Sequence, residues 1–249
     1  MQMSGKNVIV TGAAAGIGKA TALAFASAGA NVALVDIDEA GANRTAKTLS
    51  GRGRKSIVIK ADLANVQQSR AMVAQVKRTF GSIDALAHVA AIFPRAKILE
   101  ITEKMWDEIM NVDLRGLFFC SQAAMHVMVE QKRGAIVNIA SGAAFRPIEG
   151  HGAYSAAKGG VVALSRVLAL EGIKHGVRTN VVAPGHTDTE RSKAIVTPEQ
   201  RARDYAITVG GRYIEPSEVA NAIVFLSSDA ASGINGAIIN VNLGSYMIG

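Results

Sequence analysis

The sequence predicts an α/β fold, a single doubly wound domain whose central parallel sheet is flanked by helices, and three observations predict it. Short apolar runs suited to buried strands alternate with longer helical segments from end to end of the 249 residues. The first run, Lys6-Asn7-Val8-Ile9-Val10, passes straight into the glycine-rich turn Thr11-Gly12-Ala13-Ala14-Ala15-Gly16-Ile17-Gly18, and a helix of small and apolar residues follows. The second run, Asn31-Val32-Ala33-Leu34-Val35-Asp36, ends on an acid about twenty residues beyond those glycines. No linker, low-complexity segment or solenoid-length repeat interrupts the chain, and 49% hydrophobic residues suffice for a large core, so residues 1–249 read as one domain.

Each element has its own justification. A glycine turn between a first strand and a first helix aims free backbone N–H groups at whatever lies before the helix, which is how a Rossmann-type unit receives a pyrophosphate. The spacing G-x-x-x-G-x-G differs from G-x-G-x-x-G, yet the tight turn, close phosphate approach and close helix packing demand the same residue type. Gly12, Gly16, Ile17 and Gly18 are therefore candidate cofactor contacts. Asp36 can accept from both hydroxyls of a ribose and would repel a 2′-phosphate, and neither Ala15 nor Ile37 offers a cation to offset that repulsion. This favours NAD over NADP, although Asp36, followed by Asp38 and Glu39, would also suit a helix N-cap.

Further along, the strand Ser56-Ile57-Val58-Ile59-Lys60 leads to Asp62-Leu63, and Asn138-Ile139-Ala140-Ser141-Gly142 lies at the end of a strand. Tyr154-Ser155-Ala156-Ala157-Lys158 opens an apolar helix, which sets a phenol and an ammonium on one face. A fixed positive charge beside a phenol lowers its pKa from about 10 towards the range of general acid/base work. Taken alone, such a pair is common on solvated helices. The strand Val177-Arg178-Thr179-Asn180-Val181-Val182-Ala183 precedes Pro184-Gly185-His186-Thr187-Asp188-Thr189, a generic turn signal. Residues 187–212 form the only long irregular piece, with a helical pattern from Pro198 to Ile207, and are expected to be a mobile substrate lid.

Together the glycine turn, Asn111, Ser141, Tyr154 with Lys158, and Pro184-Gly185 resemble the short-chain dehydrogenase/reductase family over essentially the whole chain. The resemblance implies hydride transfer between an alcohol or ketone and a nicotinamide, with Tyr154 as general acid/base. It implies that Lys158 lowers the pKa of Tyr154 and holds the nicotinamide ribose, that Ser141 hydrogen-bonds the substrate oxygen, and that Asn111 holds a relay water. It further implies adenine contacts from Asp62 and Leu63, an adenosine-ribose neighbour around Ala90, and a carboxamide-binding turn of Pro184, Gly185, Thr187 and Thr189. A homotetramer is implied as well, compatible with apolar helices around residues 114–129 and 159–170. The chain departs from the family's Asn-Asn-Ala-Gly with His88-Val89-Ala90-Ala91, where a buried, satisfied His88 is expected and Ala91 adds a methyl beside the ribose. It also carries Leu243-Gly244 where two glycines are usual, with little consequence expected.

Composition excludes other classes. One cysteine, Cys120, allows no internal disulfide and suits a reducing cytoplasm, and its apolar surroundings argue against a nucleophile. The five histidines lack metal-ligand spacing, Val8-Ile9-Val10 is too short for a signal peptide, and no stretch is long enough to span a membrane. The net charge of +7 raises the question of nucleic acid around Arg52-Gly53-Arg54-Lys55, but aromatics are only 5% of residues and no stacking platform interleaves the cations. A nicotinamide-binding regulator without catalysis would not need the reactive set present here. Ile92, Phe93, Ala143, Ala144, Phe145, Ile148, Ala194, Ile195 and Val196 are expected to wall the substrate, which points to a cyclic or aromatic secondary alcohol. The alternative is a 3-oxoacyl thioester.

Overall fold

The computed structural model describes residues 3–49, 55–206 and 208–247. Its centre is a seven-stranded sheet in the order β3-β2-β1-β4-β5-β6-β7, with every neighbouring pair parallel. The strands are β1 Asn7–Thr11, β2 Asn31–Asp36, β3 Ser56–Lys60, β4 Ala85–His88, β5 Gly134–Ile139, β6 Val177–Pro184 and β7 Ile238–Val241. Strand order reverses between β1 and β4, and such a switch point opens a crevice at the carboxyl ends of the strands.

Alternation along β1 fixes the layers. Val8 and Val10 point to one face with Phe25 of α1 (Gly16–Ser27), Leu34 and Ile223 of α9 (Pro216–Ser227). Ile9 points to the other, among Val35, Leu86, Met72 of α3 (Val66–Phe80) and Cys120 of α5 (Leu117–Gln131). A third cluster packs Val161 and Val162 of α6 (Gly152–Gly172) on Val181 and Ala183 of β6. A buried polar chain also locates α6: Ser121 donates to Asn138 Oδ1 at 3.4 Å, and Asn138 Nδ2 donates to Ser165 at 3.0 Å. Buried polar groups must be paired, so this chain fixes the rotation of α6 against β5 as well as its distance.

Element boundaries follow the sequence reading to within a residue or two. In residues 187–212 the expected helical pattern is α8 Pro198–Ala206, and the exception is a further helix, α7 Glu190–Ile195, where irregular chain is expected. Thr189 starts α7, its hydroxyl accepting from Ser192 N at 3.1 Å in a reciprocal cap. Arg52, Gly53 and Arg54 of the basic cluster, and Ile207 at the end of the lid pattern, lie outside the described residues. Leu243 adopts φ +48°, a left-handed conformation that costs a leucine about 1–2 kcal/mol, so this departure from two glycines has a consequence after all. Among the described residues, no helix is long and apolar enough to cross a membrane.

Candidate active site

A cleft of about 880 Å³ opens at the switch point. Gly12, Gly16, Ile17, Gly18, Asp36, Asp62, Leu63, Ala90, Ser141, Tyr154, Lys158, Pro184, Gly185, Thr187 and Thr189 all line it. Asn111 does not. It sits on a shallow depression on the outside of the fold with Leu114, Phe118, Gly160 and Leu164.

The glycine turn fits a dinucleotide for steric reasons visible in the backbone. Gly12 has φ +70°, and a Cβ there would lie 3.0 Å from the Ala90 backbone; a Cβ on Gly18 would lie 1.9 Å from the Gly12 carbonyl oxygen. A side chain at Gly12 would push away the segment after β4, and one at Gly18 would prise α1 from the end of β1. Gly16 N already donates to a carboxylate oxygen of Glu190 at 3.2 Å, and Lys19 Nζ stands 3.6 Å from the same carboxylate, so the helix start receives an anionic oxygen. Thr11 Oγ1 accepts from both Val89 N and Ala90 N at 3.0 and 3.1 Å, which fixes the chain after β4 against the turn. Asp36 is held by backbone donors, Ala14 N to Oδ2 and Asp38 N to Oδ1, both at 2.9 Å. Its carboxylate is thereby fixed at the edge of the cleft beside the glycine turn.

At the other end stands Tyr154, one turn before Lys158 on α6. Lys158 is buried, donates to the Ile139 carbonyl at 3.1 Å and lies 3.3 Å from Asp113 Oδ2, with its ammonium 5.5 Å from the Tyr154 ring centre. Asp113 Oδ1 accepts from Ile92 N at 2.8 Å. Asp113, absent from the expectations, thus occupies the place beside Lys158 that Asn111 is expected to approach. The reason is a π-helical turn over residues 111–116, which follows α4 (Glu103–Met110) and adds a residue to the turn. Within that turn Asp113 is buried beside Lys158 while Asn111 lies at the outer depression, so the residue chosen by resemblance is not the one that meets Lys158. Gly116 lets this turn approach closely, since a Cβ there would lie 2.4 Å from the Leu63 carbonyl oxygen.

The electrostatics also correct the simple picture of a phenol made acidic by a lysine. Burial pushes the Tyr154 phenol above its ordinary value; Lys158 pulls it down, Asp113 pushes it up and a hydrogen bond with Ser141 lowers it, leaving a net upward shift. Lys158 divides its charge between the phenol and Asp113. Burial likewise raises Asp113, against the opposing pull of Lys158. Ser141 begins a short 3₁₀ turn and its hydroxyl accepts from Ala143 N at 3.2 Å, so it serves as a cap while facing the cleft. His88 is buried but not satisfied: neither ring nitrogen has a hydrogen-bond partner, and burial, followed by Lys158, lowers its pKa to about 3. It stands as a neutral ring just before Val89 and Ala90, which line the cleft. Cys120 is buried on α5 within the Ile9 cluster, and desolvation lifts its thiol to about 12.

The expected apolar wall is half right. Ile92, Phe93, Ala143, Ile148, Ile195 and Val196 line the cleft, whereas Ala144 and Phe145 pack beside the α6 core and Ala194 stays outside. Polar residues share the same wall. His186 Nδ1 meets Asp204 Oδ2 at 3.0 Å, Tyr213 donates to that oxygen at 2.5 Å, and Gln200 donates to Asp204 Oδ1 at 2.8 Å. Arg191 lies 4.0 Å from the centre of the Phe93 ring, itself 6.0 Å from Tyr154. Sequence reading missed these because residues spread from 186 to 213 meet only when α7, α8 and the chain after them fold over the cleft. Among the described residues no cluster of His, Cys, Asp or Glu could hold a metal ion.

A strand–glycine turn–helix cleft with a buried Tyr–Lys pair defines a nucleotide-linked oxidoreductase, and comparison with known proteins agrees. A family model described as Enoyl-(Acyl carrier protein) reductase matches residues 12–245. The D-threitol dehydrogenase of Mycolicibacterium smegmatis is 40% identical, over 99% of this chain and 95% of that protein. A 3-oxoacyl-[acyl-carrier-protein] reductase of Thermotoga maritima is 35% identical, over 98% of this chain and 99% of that protein. The solved structure of a putative 2-deoxy-d-gluconate 3-dehydrogenase from Agrobacterium tumefaciens, with bound NADP, superposes with TM-score 0.91 at 32% identity, covering 98% of this chain and 97% of that one. The chain belongs to the short-chain dehydrogenase/reductase family of oxidoreductases, with its Rossmann-type fold and nicotinamide cofactor chemistry.

Proposed function

We propose that this protein is an NAD-dependent dehydrogenase that interconverts a secondary alcohol and its ketone. The observation that carries the reading is the Tyr154–Lys158 pair at the floor of a cleft whose other end is the glycine turn. Bound NAD supplies the hydride acceptor. In oxidation the Tyr154 phenolate takes the hydroxyl proton, and the Ser141 hydroxyl stabilises charge developing on the substrate oxygen. Lys158, anchored by Ile139 and Asp113, holds positive charge beneath the phenol and reaches the nicotinamide ribose. Asp113 takes the position beside Lys158 that was expected for Asn111.

Asp36 supports NAD over NADP, because its carboxylate, held by two backbone amides beside the glycine turn, would repel a 2′-phosphate and would accept from ribose hydroxyls. Ile92, Phe93, Ile148 and Ile195 support a substrate with a cyclic or aromatic face. Residues 187–212 act as a lid over it, with α7 and α8 as its rigid parts, and the assembly is a homotetramer in the cytoplasm that binds neither nucleic acid nor membrane. Exposed Val167 and Leu170 on α6 favour association through that helix. The description of the matching family model and the Thermotoga relative favour a second reading, reduction of a 3-oxoacyl thioester.

Turnover with cyclohexanol, aryl ethanols, polyols and 3-hydroxyacyl thioesters, each with equimolar NAD and NADP, separates these readings. NAD-linked oxidation of the ring alcohols is expected. Activity confined to thioesters, or a strong NADP preference, would replace it.

A further inference from the structure

Three carboxylates line the cleft between the glycine turn and its outer wall, and all are engaged. Glu149 faces Lys97 at 3.6 Å, Glu190 lies between Lys19 and the Gly16 amide, and Asp204 is shared by His186, Tyr213 and Gln200. Three guanidiniums stand there too, Arg95, Arg146 and Arg191, and none has a carboxylate partner among the described residues. Arg146 Nε is buried with no hydrogen-bond partner, and its guanidinium lies 5.9 Å from the centre of the Tyr246 ring. Elsewhere on the chain Arg133, Arg201 and Arg212 pair with acids at 3.0 Å or less.

We propose that Arg95, Arg146 and Arg191 form a carboxylate subsite on the outer wall of the cleft, and that the substrate alcohol is a hydroxy acid. A planar guanidinium matches a carboxylate through two parallel N–H donors, and in a half-enclosed cleft the pairing is stronger than in open water. His186 adds a hydroxyl-binding group. Burial lowers its pKa, Asp204 opposes, and Arg146 and Arg95 lower it further, so the ring is neutral near pH 7. Asp204 accepts the Nδ1 proton, which leaves Nε2 as an acceptor for a second substrate hydroxyl. The reaction then interconverts a hydroxy acid and its oxo acid, with hydride and proton disposed of as above. This inference rests on the dehydrogenase reading and narrows its substrate.

The test reads binding without turnover, so its failure and that of the dehydrogenase reading are distinguishable. Cyclohexanecarboxylate and its uncharged amide are titrated against the full-length protein with NADH at pH 7. The carboxylate is expected to bind at least about tenfold more tightly, as a charge-assisted bidentate contact allows. Arg146→Gln should reduce that preference to about threefold or less. Arg95→Gln, at an exposed position, gives the same comparison should the first variant fold poorly. Equal binding of acid and amide, or a preference that survives both substitutions, overturns the proposal. So does phosphopantetheine binding more tightly than the carboxylate through Arg146, because the anion is then the phosphate of a thioester carrier.

Discussion

The floor of the cleft and its outer wall are built on different terms. Tyr154, Lys158 and Asp113 stand on helix α6 and on the turn packed against it, and Lys158 and Asp113 are almost wholly out of solvent, 1% and 0% exposed at their side chains. The wall is assembled from residues 92–95, 146–151 and 186–213, whose charged side chains are in part exposed. A group that must move a proton needs a fixed partner and a fixed dielectric, whereas a group that selects a substrate needs only to meet it. The floor therefore sets what reaction occurs, and the wall sets on which molecule.

The comparison breaks first if the floor is dispensable. Tyr154→Phe should lower kcat by about 10²–10⁴-fold, the usual contribution of a general acid/base, while NAD affinity by fluorescence titration stays within about threefold. Near-normal turnover would remove the phenol from the mechanism. A smaller change sharpens the same point. Burial and Asp113 both hold the Tyr154 phenol high, so the phenolate, and with it alcohol oxidation, gains as pH rises through that raised value. Asp113→Asn removes a negative charge while keeping an oxygen for the Ile92 amide. Half-maximal oxidation should move to lower pH by on the order of one unit, about 1.4 kcal/mol in the phenol's ionisation. A shift to higher pH would mean that Asp113 acts mainly by holding Lys158 in place. The smallest effect lies away from both regions. Leu243→Gly relieves a left-handed leucine but loses its packing against Gly210 and the first core cluster, so Tm should change by no more than about 4 °C. A larger loss would show that the side chain outweighs the backbone there.

The floor was largely legible in the sequence and the wall was not, for a physical reason. Tyr154 and Lys158 share one regular helix, and the glycines share one turn, so spacing in sequence is spacing in space. Asn111 rested on resemblance rather than on spacing, and only the folded π-helical turn reveals that Asp113, two residues further on, is the side chain that meets Lys158. His88 looked like an ordinary satisfied core histidine, and only three dimensions reveal that neither nitrogen is paired. Arg95, Arg146 and His186 meet only because loops after β4, β5 and β6 open at the same edge of the sheet. Ala144 and Phe145 erred in the opposite direction, being close to Ser141 in sequence yet turned into the core.

Cys120 has a practical corollary. With its thiol wholly buried and its ionisation suppressed, it presents almost no thiolate to an alkylating reagent in the folded protein. Modification must await an opening that parts α5 from the sheet, so the rate of thiol labelling in native buffer becomes a clock for that opening. One residue, placed by packing alone, gives the chain a built-in reporter of its own transient unfolding.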